Sequence, residues 1–203
     1  MSVLLAAVFL GLAANVDNLG VGFAYGLSRI RIPEWANLLI AVIGAVFTVL
    51  PLWLGRWLAM VAPGPARLAG GLALIGIGVW VATGAGNWRP RRAPPRRTGW
   101  AGALPAVLAD PVAADLDGSG DVSLPEALLL GVALSVNCAV GGLSAGLVGL
   151  PAWLVVLSVS GFSCLCIDVG QSTVRFLPAA RASRAAPVLA GLVLSIIGIH
   201  QLR

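Results

Sequence analysis

Six apolar segments divide this chain of 203 residues, each near the roughly 20 residues that a helix needs to cross a bilayer. Their predicted bounds are 3–27, 36–61, 67–84, 125–147, 151–176 and 186–201. The composition agrees, because 59% of the residues are hydrophobic and only 10% are charged. The sequence therefore predicts an all-α membrane protein with six transmembrane helices.

The second half of the chain repeats the first at an offset of 120 residues. GLAANVDNLGVGFAYGL, from Gly11, aligns with GVALSVNCAVGGLSAGL, from Gly131, and GGLALIGIGVW, from Gly70, aligns with AGLVLSIIGIH, from Ala190. The middle helices of the halves align less specifically, at an offset of 115. Three spans per half reverse the orientation of the second half, so the alignment predicts two inverted repeats, as in many secondary transporters. The predicted units are a first repeat, a connecting loop and a second repeat: 1–84, 85–124 and 125–203.

Arginines predict the orientation of these spans. Ten of the 13 basic residues follow the first, third and fifth segments: Arg29, Arg31, Arg89, Arg91, Arg92, Arg96, Arg97, Arg175, Arg181 and Arg184. Because basic residues are enriched on the cytoplasmic side, these connections are predicted to be cytoplasmic and both termini to lie outside. We expect a multi-pass protein of the bacterial inner (plasma) membrane, with the long loop in the cytoplasm.

Two carboxylates, Asp17 and Asp168, lie inside apolar segments, where charge is costly and usually functional. Asp17 precedes Asn18 and two glycines, and the repeat aligns Asn137 with it. Oxygen ligands of this kind favour Mn²⁺, Mg²⁺ or Ca²⁺, so we predict a transport metal site formed by Asp17, Asn18, Asn137 and Asp168. Two structural alternatives remain: Asp17 and Asn137 only hydrogen-bond across a helix interface, and Asp168 only neutralises Arg175.

The segment DLDGSGDVSLPE fits the twelve-residue EF-hand loop, with glycine at its sixth position. The predicted metal ligands are Asp115, Asp117, Ser119, Asp121, Ser123 and Glu126. The motif predicts Ca²⁺ binding, although prolines limit the flanking helices and no second EF-hand is available for pairing. Because Glu126 begins the helix that carries Asn137, we expect cation binding to influence the membrane site. An acidic solvated turn is the alternative interpretation.

Three segments carry a family resemblance: VDNLGVGFAYGLSRIRIP, ADPVAADLDGSGDVSLPEALLLGVALSVN and GGLALIGIG. Together they resemble the MntP-type manganese efflux family of LysE-like exporters, in particular its YtaF-type sporulation membrane proteins. The resemblance implies six helices and export of a divalent metal from the cytoplasm. The family's paired intramembrane aspartates map onto Asp17 and position 137. Here the chain departs from the family, because Asn137 removes one formal charge from the implied site.

The combined prediction is Mn²⁺ export by alternating access, driven by an ion gradient and regulated by cation binding to the loop. Divalent cations and the lipid bilayer are the expected partners, nucleic acid is not, and the sequence is compatible with a homo-oligomer. Two alternatives remain: a Ca²⁺-responsive sporulation-associated membrane protein without transport, and an exporter of a small organic solute. The chain has no nucleotide-binding motif and no hydrolase constellation, so an enzyme is not expected.

Overall fold

The computed structural model describes residues 3–84, 104, 107 and 111–173. All regular secondary structure in these residues is helical. The elements are α1 (Val3–Ala14), α2 (Val16–Ser28), α3 (Glu34–Val61), α4 (Pro63–Gly84), a 3₁₀ turn (Pro111–Ala114), α5 (Leu124–Val148) and α6 (Ala152–Thr173). The predicted helix at 186–201 and the arginine-rich part of the long loop lie outside the described residues.

Four stretches are long and apolar enough to cross a membrane: Val3–Ser28, Glu34–Val61, Leu124–Val148 and Ala152–Thr173. They match the predicted first, second, fourth and fifth segments to within about three residues, because uninterrupted apolarity marks the spans directly. Helix α4 occupies the position of the predicted third segment. The total of six spans and their inverted arrangement stay predictions.

The helices of the two halves pack mainly against each other. Helix α3 packs chiefly along α5, and α1 and α2 pack along α6. A Cβ atom on Gly22 would overlap the carbonyl oxygen of Ile167, and one on Gly142 would overlap that of Thr48. Glycine therefore permits the close backbone approach of α2 to α6 and of α5 to α3, as small residues do in membrane bundles.

Helix α3 turns an apolar stripe outward. Its exposed side chains recur at every third or fourth position, so they lie on one face of the helix: Trp35, Leu38, Val42, Val46, Leu50, Trp53 and Trp57. The opposite face is buried and contains Ala36, Ile40 and Leu52. An outward apolar face suits lipid rather than water, which agrees with the prediction of a membrane-spanning helix.

Candidate metal sites

The first membrane span is interrupted at Asn15, which separates α1 from α2. The Asn15 side chain is fully buried, and its amide nitrogen donates to the carbonyl oxygens of Gly11 at 2.8 Å and Val159 at 3.0 Å. The first bond satisfies the Gly11 carbonyl within the span, and the second links the interruption to α6, which contains Val159. The break lies two residues before Asp17, so irregular backbone and an intramembrane carboxylate occur together, as at many transporter sites.

Asp17 and Asn137 are in direct contact. The Asn137 amide nitrogen donates to Oδ2 of Asp17 at 2.8 Å, which joins α2 to α5. The other carboxylate oxygen, Oδ1, is buried and has no hydrogen-bond partner among the described residues. A buried acceptor without a partner is costly, so the Asp17 carboxylate keeps an open coordination position inside the membrane span.

Asn18 adds a second open oxygen beside Asp17. Its amide nitrogen donates to Oδ1 of Asn15 and to the hydroxyl of Ser163, each at 3.0 Å. Both N–H groups of the Asn18 amide therefore donate hydrogen bonds, while the amide oxygen is buried without a partner in the described chain. Ser163 was not predicted, because a single serine in an apolar helix has no distinctive pattern. It fixes the orientation of Asn18.

Asp168 belongs to a different set of contacts from the other predicted membrane ligands. Its Oδ1 accepts a hydrogen bond of 2.8 Å from the amide nitrogen of Asn37, which links α6 to α3. Asp17, Asn18 and Asn137 are joined through α2 and its neighbours, whereas Asp168 faces a pocket at the α2–α3 turn. The suggested partner Arg175 lies outside the described residues.

The EF-hand-like segment folds into a compact turn before α5. One oxygen from each of Asp115, Asp117 and Glu126 lies within 4.8 Å of the others. Gly120 has a φ angle of 82°, in the left-handed region that glycine adopts readily. The Ser119 N–H donates to a carboxylate oxygen of Asp117 at 2.9 Å, and the Ser119 hydroxyl donates to the carbonyl oxygen of Asp121 at 2.9 Å.

The Glu126 carboxylate accepts several of the hydrogen bonds that hold this turn together. It is 2% exposed, and its Oε1 accepts the N–H groups of Leu116 at 2.7 Å and Asp117 at 3.4 Å. Its Oε2 accepts the N–H of Ser123 at 2.9 Å and the hydroxyl of the same residue at 2.7 Å. Glu126 and Ser123 thereby form the capping box that begins α5. A bound cation would have to compete with these donors for both oxygens.

The two other carboxylates of the cluster have different electrostatic surroundings. Burial raises the pKa of Asp115, and the negative charge of Glu126 adds to the increase. Hydrogen bonds from Ser119 lower the pKa of Asp117. Asp115 Oδ1 is buried without a partner in the described residues, so this carboxylate keeps a free acceptor. The fit to a cation is therefore partial, since Asp115 and Asp117 are available and Glu126 is engaged.

The turn also pairs with the connection between α2 and α3. The Arg31 N–H donates to the carbonyl oxygen of Gly120 at 2.8 Å, and the Val122 N–H donates to the carbonyl oxygen of Arg31 at 3.1 Å. Val122 is 2% exposed and packs in one apolar cluster with Ile30 and Ile32. The loop and this connection thus form an isolated parallel β-bridge between Arg31 and Asp121. Sequence reasoning missed it because the bonds are formed by backbone atoms.

Comparison with known proteins supports the resemblance described above. Residues 2–82 match a family described as "Putative manganese efflux pump". The chain resembles this efflux family. It is also 29% identical over 210 aligned residues to the "Probable sporulation protein YtaF" of Bacillus subtilis (strain 168), which covers 98% of this chain and 99% of that protein. No solved structure matches the chain. Together, this similarity and the apolar helices of the chain indicate a membrane-embedded, multi-pass protein.

Proposed function

We propose that the protein exports a divalent metal ion, with Mn²⁺ as the first candidate, through a site formed by Asp17, Asn18 and Asn137. The observation that carries the proposal is the pair of unpartnered buried oxygens on Asp17 and Asn18, beside a helix interruption inside a membrane span. Carboxylate and amide oxygens suit Mn²⁺, Mg²⁺ and Ca²⁺. The similarity to an efflux family favours Mn²⁺ among these ions and a transporter over an enzyme.

Six spans in two inverted repeats are part of the proposal. Asp17 and Asn137 are 120 positions apart, which equals the offset of the sequence repeat, and their side chains touch. Residues related by a two-fold axis contact each other only close to that axis. The contact therefore supports a site on the axis between the halves, where alternating access would expose it to each side in turn. The arginine distribution supports termini outside and a cytoplasmic loop.

Mn²⁺ flux into proteoliposomes tests this proposal. Purified wild-type protein, Asp17→Asn and Gly20→Ala should be compared under an imposed ion gradient. Gly20 is the matched control on the same helix, because a Cβ atom there would meet nothing within 4 Å. We expect Asp17→Asn to lose transport, since it removes the only carboxylate of the pair, and Gly20→Ala to retain it.

The same experiment separates the alternatives. Wild-type protein that moves no Mn²⁺ under any gradient contradicts the exporter and leaves a Ca²⁺-responsive membrane protein as the better interpretation. Transport that small organic solutes compete away, and metals do not, favours the organic-solute exporter. If Gly20→Ala also loses Mn²⁺ flux, the loss in Asp17→Asn could not be attributed to the carboxylate.

The loop before α5 is proposed to regulate transport by binding Ca²⁺ or the transported metal. Its support is the convergence of Asp115, Asp117 and Glu126 and the free buried oxygen of Asp115. Two routes lead from the loop to the membrane helices. One runs through Glu126 into α5, which carries Asn137, and the other runs through the backbone bonds between the loop and Arg31.

Calcium titration of the intact protein, combined with Mn²⁺ flux, tests the regulatory role. Asp117→Asn removes an exposed ligand without touching the capping box, and Ser172→Ala, an exposed change elsewhere, is the control. We expect Asp117→Asn to weaken Ca²⁺ binding and abolish the effect of Ca²⁺ on flux. Equal Ca²⁺ responses in wild type and Asp117→Asn would leave the loop as an acidic solvated turn.

A further inference from the structure

A pocket of about 540 Å³ opens where α2 turns into α3. Charged side chains of both signs line it: Arg29, Arg31, Glu34 and Asp168. Their formal charges cancel, so the pocket does not present the purely positive entrance that would repel a dication. The arginine-rich turn also identifies this end of the bundle as the one that the orientation rule assigns to the cytoplasm.

Asn37 is a buried residue whose side-chain amide contacts Asp168 and whose amide oxygen has no hydrogen-bond partner in the described residues. The side chain is 3% exposed, and its nitrogen donates to the carbonyl oxygen of Cys164 at 3.1 Å and to Asp168 Oδ1 at 2.8 Å. These two bonds use both N–H groups. Oδ1 of Asn37 is buried with no partner in the described chain, and it belongs to the amide group that holds the Asp168 carboxylate.

Along the helix axes, Asp168 lies at a level between the Asp17 pair and the arginine-rich turn at the pocket. Asn18 contacts Ser163, and Asp168 follows Ser163 by five residues, or about 7.5 Å along a helix. At the level of Asp168, Gly22 packs against Ile167. Since α2 continues from there toward the arginine-rich turn, Asp168 lies nearer to that turn than Asn18 and Ser163 do, on the exposed side of α6 where Asn37 of α3 contacts it.

We propose that Asp168 and the amide oxygen of Asn37 form a second, outer site for a divalent cation, which binds there from the pocket before it reaches Asp17. As a step in transport, this site rests on the proposed export function, but as a binding site it can be tested without transport. The Asn37 N–H fixes one carboxylate oxygen and leaves the other free. Water in the open pocket supplies the remaining ligands, as is usual for hard cations held by few protein groups.

Mn²⁺ binding to the intact protein in lipid nanodiscs tests the outer site by electron paramagnetic resonance, which counts bound ions. All proteins carry Asp117→Asn and Asp121→Asn, two exposed changes that remove the loop from the count. Asp168→Asn keeps an acceptor for Asn37 but removes the charge. Glu34→Gln removes the same charge from the same pocket away from Asn37, and is the matched control.

The parent protein should bind two Mn²⁺ ions, Asp168→Asn one, Asp17→Asn one and Glu34→Gln two. Asn37→Asp should tighten the outer ion at least tenfold, because it replaces an amide oxygen by a carboxylate. Two ions retained in Asp168→Asn overturn the outer site and leave the export proposal intact. If Glu34→Gln also loses one bound Mn²⁺ ion, the outer site is overturned as well, because the charge of the pocket alone would then explain the result. Two bound ions without any flux would support the outer site and contradict export.

Discussion

The amide of Asn137 donates a hydrogen bond of 2.8 Å to the carboxylate of Asp17, across the interface between α2 and α5. The family resemblance implies a second aspartate where this chain has Asn137. Replacement of a carboxylate by an amide lowers the negative charge of the site and supplies a hydrogen bond that holds Asp17 when no cation is bound. We therefore expect the pair to be stable without a cation and to bind a dication more weakly than a pair of carboxylates would.

Asn137→Asp should raise the affinity for Mn²⁺ by about tenfold, since cation affinity increases with the number of charged ligands. Without Mn²⁺ the two adjacent carboxylates should repel each other and lower the thermal stability of the protein. Calorimetric titration and thermal unfolding with and without Mn²⁺ measure both effects. Asn137→Leu, which offers no oxygen, should bind more weakly than wild type. Unchanged affinity in Asn137→Asp would mean that position 137 does not contact the ion.

Alanine at Gly22 or Gly142 should destabilise the bundle by about 1–3 kcal/mol, the usual cost of forcing a methyl group into a filled interface. The added Cβ atoms would overlap the carbonyl oxygens of Ile167 and Thr48. Thermal unfolding in detergent gives the comparison, with Gly161→Ala as a control in open space. Equal stability of the three variants would show that the helices separate at little cost.

Glu126→Ala should lower stability by about 1–3 kcal/mol in the absence of any cation, because it leaves the N–H groups of Leu116, Asp117 and Ser123 without their acceptor. Hydrogen exchange at these amides should accelerate. Ser119→Ala, whose contacts are exposed, should change stability by less than about 0.5 kcal/mol. Unchanged exchange in Glu126→Ala would contradict the structural role of the carboxylate.

Val122→Pro should disconnect the loop from the α2–α3 turn, because proline has no N–H to donate to the carbonyl oxygen of Arg31. Ca²⁺ should still bind, but its effect on Mn²⁺ flux should be reduced. Val122→Ala keeps the N–H and serves as the control for the lost side chain. If Val122→Pro responds to Ca²⁺ as wild type does, the signal passes through Glu126 and α5 alone.

Much of the fold and the centre of the candidate site could be predicted from the sequence. Apolar runs identified the four stretches that are long and apolar enough to cross a membrane, and the repeat predicted that Asn137 would lie opposite Asp17. The partner of Asp168 could not be predicted, because Asn37 is a lone amide near the start of an apolar helix and no spacing relates it to α6. The bond between Arg31 and Val122 was equally inaccessible, since any two residues can form it through their backbones.

The pairing of α1 and α2 with α6 has a consequence for biogenesis. The first span leaves the ribosome long before α6. During that interval its glycine-lined face and its buried amides are in the membrane without α6, against which they pack in the folded protein. In the described helices the two halves pack mainly against each other, so we expect neither half to pack fully when it is made alone. A half that is expressed alone should therefore be degraded, and the two halves should accumulate only when they are expressed together. Such dependence would prevent an incomplete protein from remaining in the membrane.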